Sequence, residues 1–400
     1  QQDALSTMNY NDILSDKIKQ LKPSGIRKFF DIVLSNKDAV SLGVGEPDFV
    51  TPWSVRDAAI KSIQKGFTQY TSNSGLLQLR EKICQYLKQR FDLNYETEEV
   101  IITVGASEAI DISVRALVNS GDEIIIPEPS YVSYAPTVIM SGGVPVSLKC
   151  GSENGFKAKA SELEKCVTKK TKAILLSYPN NPTGAVMYRE DLEKLAKVIK
   201  KHNLMVISDE IYCELTYNSK HVSIASLEDM KERCIVINGF SKSFAMTGWR
   251  VGYFAAPKPV ASEMLKLHQY VIMCAPTPSQ YAALQALTEG LNDGFAVVEE
   301  MKEEYNRRRR FVADSFNNMG LKCYNPDGAF YVFPEVTSTG LNGEQFATLL
   351  LEKKKIAVVP GNSFGACGEN FIRCSYAYSL KTLSYALEKI EEFVKEIKSR

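Results

Sequence analysis

The chain has 400 residues, 44% of them apolar and 24% charged, and a formal net charge of +1. That length exceeds one typical core and predicts two structural units, while the near-neutral balance gives no reason to expect nucleic acid or an anionic membrane as a partner. Nine cysteines without a Cys-x-x-Cys pair, and only His202, His221 and His268, argue against a disulfide framework or a metal site. Reduced thiols in a cytoplasmic protein are the expectation. No apolar run approaches the ~18 residues of a membrane span, and the mixed, charged N-terminus does not read as a signal peptide.

Residues 1–40 are polar and mixed, with helical stretches expected near 18–21 and 29–33. Ser41-Leu42-Gly43-Val44-Gly45-Glu46-Pro47-Asp48-Phe49 reads as a short strand entering a Gly/Pro turn. There Gly45 would let backbone approach a ligand, and a plain turn glycine explains it equally well. Thr68-Gln69-Tyr70-Thr71-Ser72-Asn73-Ser74-Gly75 is a polar loop ahead of an amphipathic helix at 76–90. Its hydroxyls suit a phosphate, although most such loops are merely solvated.

From residue 100 the pattern changes. Apolar runs at 100–104, 123–126, 144–148, 173–177, 204–208, 234–238 and 251–256 are separated by helical patterns at 107–118, 131–140, 189–202 and 260–290. Continuous apolar strands alternating with helices predict an α/β fold, a mostly parallel seven-stranded sheet covered on both faces. Beyond 291 the chain becomes more charged. Helices expected at 297–319 and 380–399 flank a strand-like 328–333, with 356–361 and 371–375 after it, and together these predict a smaller α+β unit. Arg307 to Arg310, balanced by Glu299, Glu300, Glu303 and Glu304, reads as a solvated helix face. The expected division is a large unit over 48–290 and a small one built from 1–47 plus 291–400.

Ligands of open parallel sheets sit outside the carboxyl ends of the strands. The residues just after each strand are therefore the informative ones. After 100–104 come Gly105, Ala106 and Ser107, small residues opening a helix whose free N–H groups suit a phosphate. No dinucleotide fingerprint or P-loop is present. The run 173–177 leads to Tyr178-Pro179-Asn180-Asn181-Pro182-Thr183-Gly184, and 204–208 ends on Asp209, with Tyr212 three residues on. A helix N-cap would also explain Asp209. Between the last two runs lies Asn238-Gly239-Phe240-Ser241-Lys242-Ser243-Phe244-Ala245-Met246-Thr247-Gly248-Trp249-Arg250. A lysine in so apolar a setting loses hydration, which favours the free amine that traps a carbonyl as a Schiff base. With Arg373 from the C-terminal unit, the set answers the needs of a phosphorylated pyridine aldehyde. It offers an acid for the ring nitrogen, hydrogen bonds for the ring hydroxyl, a phosphate cradle, and an arginine for a substrate carboxylate.

Five motifs in one order carry a resemblance: Gly45-Glu46-Pro47-Asp48-Phe49, Asn180-Asn181-Pro182-Thr183-Gly184, Ser208-Asp209-Glu210-Ile211-Tyr212, the run from Ser241 through Arg250 to Val251-Gly252-Tyr253, and Phe371-Ile372-Arg373. From about Ser24 onward the chain resembles fold-type I pyridoxal-phosphate aminotransferases of class I/II, in their prokaryotic aspartate/aromatic branch. The resemblance implies that Lys242 carries the cofactor and shuttles the substrate proton. It implies that Asp209 pairs with the pyridine nitrogen, that Tyr212 and Asn181 contact the ring oxygen, and that Tyr131 stacks on the ring. Ala106, Ser107, Ser241 and Arg250 would hold the phosphate. Tyr70 would reach the phosphate of a neighbouring subunit in a homodimer, and Arg373 with the Gly45 backbone would bind the substrate α-carboxylate. The implied reaction passes an amino group from an L-amino acid to a 2-oxo acid such as 2-oxoglutarate. Two positions depart from the pattern: Gly239, where many relatives carry a phosphate-binding serine, and Ser107, where some aspartate-specific relatives carry a lysine. The second leaves room for aromatic or other apolar substrates. A C–S β-lyase on the same fold is the runner-up. A cofactor-binding regulatory module is disfavoured, because no basic helix-turn-helix pattern occurs.

Overall fold

All seven apolar runs between 100 and 256 join one sheet. The structure, a computed structural model, describes residues 8–400, so the first seven residues of the 1–47 segment lie outside it. Its strands in chain order are β1 (Val40–Ser41), β2 (Val100–Thr103), β3 (Glu123–Glu128), β4 (Val144–Lys149), β5 (Thr171–Ser177), β6 (Met205–Asp209), β7 (Cys234–Gly239), β8 (Gly252–Ala255), β9 (Tyr331–Val332), β10 (Ile356–Ala357), β11 (Val359–Pro360) and β12 (Ile372–Ser375). The large sheet runs β2-β8-β7-β6-β5-β3-β4. Only β8 is antiparallel to its neighbours; the pairs from β7 across to β4 are parallel.

Burial on both faces explains why these runs are continuously apolar. Successive strand side chains point to opposite faces. Cys234 and Val236 join one core, with Ile174, Leu176 and Val206 from the neighbouring strands. Ile235 and Ile237 join another, with Ala173, Leu175 and Ile207. Helices Leu77–Phe91, Arg189–Lys201 and Thr277–Asp293 cover the first face, while Gly105–Leu117 and Lys258–Val271 cover the second. Each fully buried Val, Leu or Ile contributes on the order of 1.5–3 kcal/mol, so a strand polar on either face would not hold here.

The C-terminal residues build a separate core with Phe316, Phe330, Phe346 and Phe393 at its centre. Leu42 packs into it, and β1 pairs in parallel with β10, with Val40 opposite Ile356. A second small sheet has the order β11-β12-β9.

Two expectations need correcting. The helical pattern at 260–290 is two helices, Lys258–Val271 and Thr277–Asp293. Met273 adopts φ +76° between them, and Pro276 and Pro278 start the second, since proline disfavours helical geometry in the residue before it. The strand-like 328–333 contributes only Tyr331–Val332, because Ala329 lies in the left-handed region at φ +58°. Helices Trp53–Gln64, Ala160–Cys166 and Gly343–Lys354 have no counterpart among the expected elements. No helix among the described residues is long and apolar enough to cross a membrane.

Candidate active site

The carboxyl ends of β5, β6 and β7 open into a cavity of about 290 Å³. Of the twelve residues singled out from the sequence, eleven line it: Gly45, Ala106, Ser107, Tyr131, Asn181, Asp209, Tyr212, Ser241, Lys242, Arg250 and Arg373. Tyr70 does not, and its side chain is 80% exposed.

Lys242 sits in the turn after β7, with its ammonium donating a hydrogen bond to the carbonyl of Gly45. Its Nζ lies 5.7 Å from the centre of the Tyr212 ring and 5.9 Å from that of Phe330. Burial, then the positive charge of Arg373, lowers its pKa to about 8, with Glu46 opposing the shift. A lysine so tuned exchanges protons readily near neutrality.

Asp209 ends β6, and the residues after it form turns instead of a helix. One carboxylate oxygen accepts from the Ile211 N–H at 3.2 Å, and the other from the Tyr134 hydroxyl at 2.5 Å. Burial raises this carboxyl to about 6, although both hydrogen bonds pull the other way. A buried acid pushed up by desolvation is relieved by a cation placed beside it.

Arg373, in β12, is 2% exposed. Its Nη1 donates to Asn181 Oδ1 at 2.8 Å and its Nη2 to the Gly43 carbonyl at 2.6 Å, while Nε is buried with no partner among the described residues. A guanidinium held at two nitrogens and orphaned at the third is a pre-set carboxylate receptor.

Across the cavity, helix Gly105–Leu117 begins with its first turn lining the space. Gly105 adopts φ +68°, and a Cβ there would come within 2.6 Å of Arg250 Nη2, so only glycine lets the guanidinium lie against the helix start. Arg250 is fixed by a 2.8 Å bond from Nη1 to the Thr247 carbonyl. Backbone N–H groups at the helix start, with an adjacent arginine, make an anion site.

The sequence reading missed several lining residues. Tyr134, which holds Asp209, stands one turn beyond Tyr131 on the sequence, and that spacing was the available signal. Tyr331, from β9, bonds Tyr212 hydroxyl to hydroxyl at 2.8 Å. Ile26 and Phe30 come from helix Gly25–Ser35, and Thr247 lies beside Arg250. Nothing in the local sequence marks Tyr331, Ile26 or Phe30 as lining residues, whereas Thr247 falls within the Ser241–Arg250 motif.

A model of the aminotransferase class I and II family matches residues 37–390. The chain belongs to that family. It is 53% identical to a putative aminotransferase, YugH, of Bacillus subtilis over 95% of this chain and 98% of the relative. It is 44% identical to an aspartate aminotransferase of Pyrococcus abyssi over 96% and 99% of the two chains. The solved structure of an aromatic aminotransferase from Pyrococcus horikoshii superposes with a TM-score of 0.88 at 43% identity, covering 93% of this chain and 99% of that one. The protein is thus an enzyme that transaminates with pyridoxal phosphate, on the fold expected for it.

The residues present fit that cofactor. An amine of lowered pKa, a buried acid, an anion site at a helix start and a guanidinium with one nitrogen unpartnered among the described residues belong to residues that line one space. Each is incompletely satisfied by the protein alone.

Proposed function

We propose that this transaminase takes its amino group from an L-amino acid of the aspartate, aromatic or related kind and passes it to 2-oxoglutarate. The observation that carries the reading is the sharing of one cavity by the Lys242 amine and the Arg373 guanidinium. Its relatives include both aspartate and aromatic-amino-acid aminotransferases. The lining supports aromatic donors ahead of aspartate in this reading. Among the described residues Lys242, Arg250 and Arg373 are the cavity's cations, whereas Ile26 and Phe30 add apolar surface.

Pyridoxal phosphate, when bound, supplies the aldehyde carbon and electron-withdrawing ring that make amino and oxo groups exchangeable. The chain's residues then divide the work. Arg373, braced by Asn181, binds the α-carboxylate beside the Gly45 backbone and so orients the substrate Cα–H. Lys242 Nζ would take and hold that proton, a role suited to a base whose pKa is about 8. Asp209, steadied by Tyr134, would hold the proton on the pyridine nitrogen, whose positive charge would relieve a carboxyl that burial raises to about 6. Tyr212 and Asn181 would hydrogen-bond the ring oxygen, and Tyr131 would pack on the ring. Arg250, Ser241 and the first-turn N–H groups at Ala106 and Ser107 hold the phosphate.

The exposed Tyr70 serves the site of a second copy, which makes the working enzyme a homodimer. In our reading the large unit spans 48–290 and the small unit 1–47 plus 291–400, so substrate lies between them. Nine unpaired cysteines support a cytoplasmic setting.

The test is the visible spectrum of the holoenzyme on adding single amino acids and then 2-oxoglutarate. Bleaching by an aromatic donor, then recovery with the oxo acid, is the expected result. Pyruvate released from a sulfur amino acid without any acceptor would move the assignment to a C–S β-lyase.

A further inference from the structure

Tyr331 is fully buried, and among the described residues its hydroxyl has a single polar partner, the Tyr212 hydroxyl at 2.8 Å. Its ring lies under the Arg373 guanidinium, 4.4 Å from Cζ to the ring centre. The hydroxyl also fills the space beside Gly45, where a Cβ would approach it to 2.7 Å. One side chain therefore touches the residue read as facing the ring oxygen, the residue read as binding the carboxylate, and the backbone whose carbonyl takes the Lys242 hydrogen bond.

We propose that Tyr331 is a positioning residue that couples the pairing of Arg373 with a carboxylate to the hydrogen bonding of the Tyr212 hydroxyl. The inference rests on the roles given above to Arg373 and Tyr212. Each phenol has one proton, and among the described residues each finds only the other. When Tyr331 donates, the Tyr212 proton is left free for an acceptor in the cavity. A bare guanidinium over the Tyr331 ring makes that phenol a stronger donor, and a chain of two such bonds strengthens along its length. Pairing Arg373 with a carboxylate partly neutralises it, weakens the Tyr331 donation and loosens the grip of Tyr212. This route is separate from the direct 2.8 Å bond between Arg373 and Asn181, because it runs through the aromatic ring.

The experiment uses holoenzyme as wild type, Tyr331→Phe, Tyr212→Phe and the double variant. It reads the pH midpoint of the cofactor's visible band, with and without 3-phenylpropionate as a carboxylate that cannot react. A ring oxygen that loses a donor gains negative charge and binds the neighbouring proton more tightly, so the midpoint should rise. For Tyr331→Phe we expect a rise of roughly half to one pH unit, the equivalent of one hydrogen bond. It should add nothing in the Tyr212→Phe background, and the response to 3-phenylpropionate should shrink. Tyr331→Leu removes the ring as well and should raise KM for the amino acid about three- to thirty-fold, whereas Tyr331→Phe keeps KM near wild type. If Tyr212→Phe moves the midpoint and Tyr331→Phe does not, or if their effects simply add, the coupling is wrong. If Tyr212→Phe leaves the midpoint in place, the ring-oxygen role of Tyr212 fails, and the inference falls with it.

Discussion

The two walls of the cavity are built differently. On the sheet wall, Asn181, Asp209 and Lys242 each come just after or end a parallel strand whose neighbours fix it on both sides. On the opposite wall, Tyr331 and Arg373 come from strands of two and four residues, and Gly43 and Gly45 from a loop. Their chemistry differs as well. The sheet wall holds the groups whose protonation is displaced towards neutrality, Lys242 at about 8 and Asp209 at about 6. The opposite wall holds Arg373, a guanidinium fork held by Asn181 and the Gly43 carbonyl. In the proposed roles, the groups that change protonation sit on the large sheet, and the group that recognises charge sits on a short strand of the second core.

That contrast can be broken most severely on the sheet wall. Lys242→Ala should reduce transamination by more than about 10⁴-fold, since no other amine among the described residues lines the cavity to move the proton. Circular dichroism and the cofactor-free melting curve should remain close to wild type. Substantial retained turnover would refute the assignment of the base. On the opposite wall, Arg373→Leu should lower kcat/KM by about 10²- to 10³-fold, the effect of removing one partner of a buried charge pair. Binding should fail there while the spectrum of the resting holoenzyme keeps its band. A loss of the band instead would mean that Arg373 supports the cofactor and not the substrate.

Asp209 sharpens the comparison through stability. In the cofactor-free protein its folded pKa, about 6, lies above the ordinary 3.8. A group with a raised folded pKa contributes stability fully below its unfolded pKa and loses it as pH climbs through the folded value. Ionised Asp209 therefore burdens the apo protein at neutral pH by up to about 3 kcal/mol. Cofactor-free Asp209→Asn should melt higher than wild type at pH 7.5, and the gap should close near pH 4. The same variant should lose activity. An unchanged melting temperature across that range would show that the carboxyl is not desolvated as its surroundings indicate.

The same two walls separate what the sequence disclosed from what it hid. Strand runs such as 234–238 are legible because burial on both faces leaves a continuous apolar signature, and topology then dictates where Asp209 and Lys242 must lie. Arg373 emerges only through its place in a set of motifs. Tyr331 and Phe30 emerge not at all, since an aromatic beside other apolar residues looks like core. Whether it also faces a cavity depends on tertiary packing. The break near residue 276 is written in two prolines within an otherwise helical period, and the period masks them. Glycine at 105 reads as a phosphate-binding feature, whereas its tightest neighbour is Arg250, for which the same task is proposed.

The smallest effect tests what a single chain does not complete. Tyr70 is exposed and does not line the cavity, so the role proposed for it requires a second copy. Tyr70→Phe should weaken retention of pyridoxal phosphate roughly ten-fold, the loss of one hydrogen bond to a charged group. Hybrids decide which site it serves. In a dimer of one Tyr70→Phe subunit and one Lys242→Ala subunit, only the first subunit has a working lysine. If Tyr70 reaches across, that site receives an intact tyrosine from its neighbour and should hold cofactor as tightly as wild type, while the dead site carries both defects. If each tyrosine serves its own chain, the working site is the weakened one. Equal weakening in the hybrid and in the pure Tyr70→Phe protein would exclude shared sites and leave the opposite wall of the cavity to be completed by this chain alone.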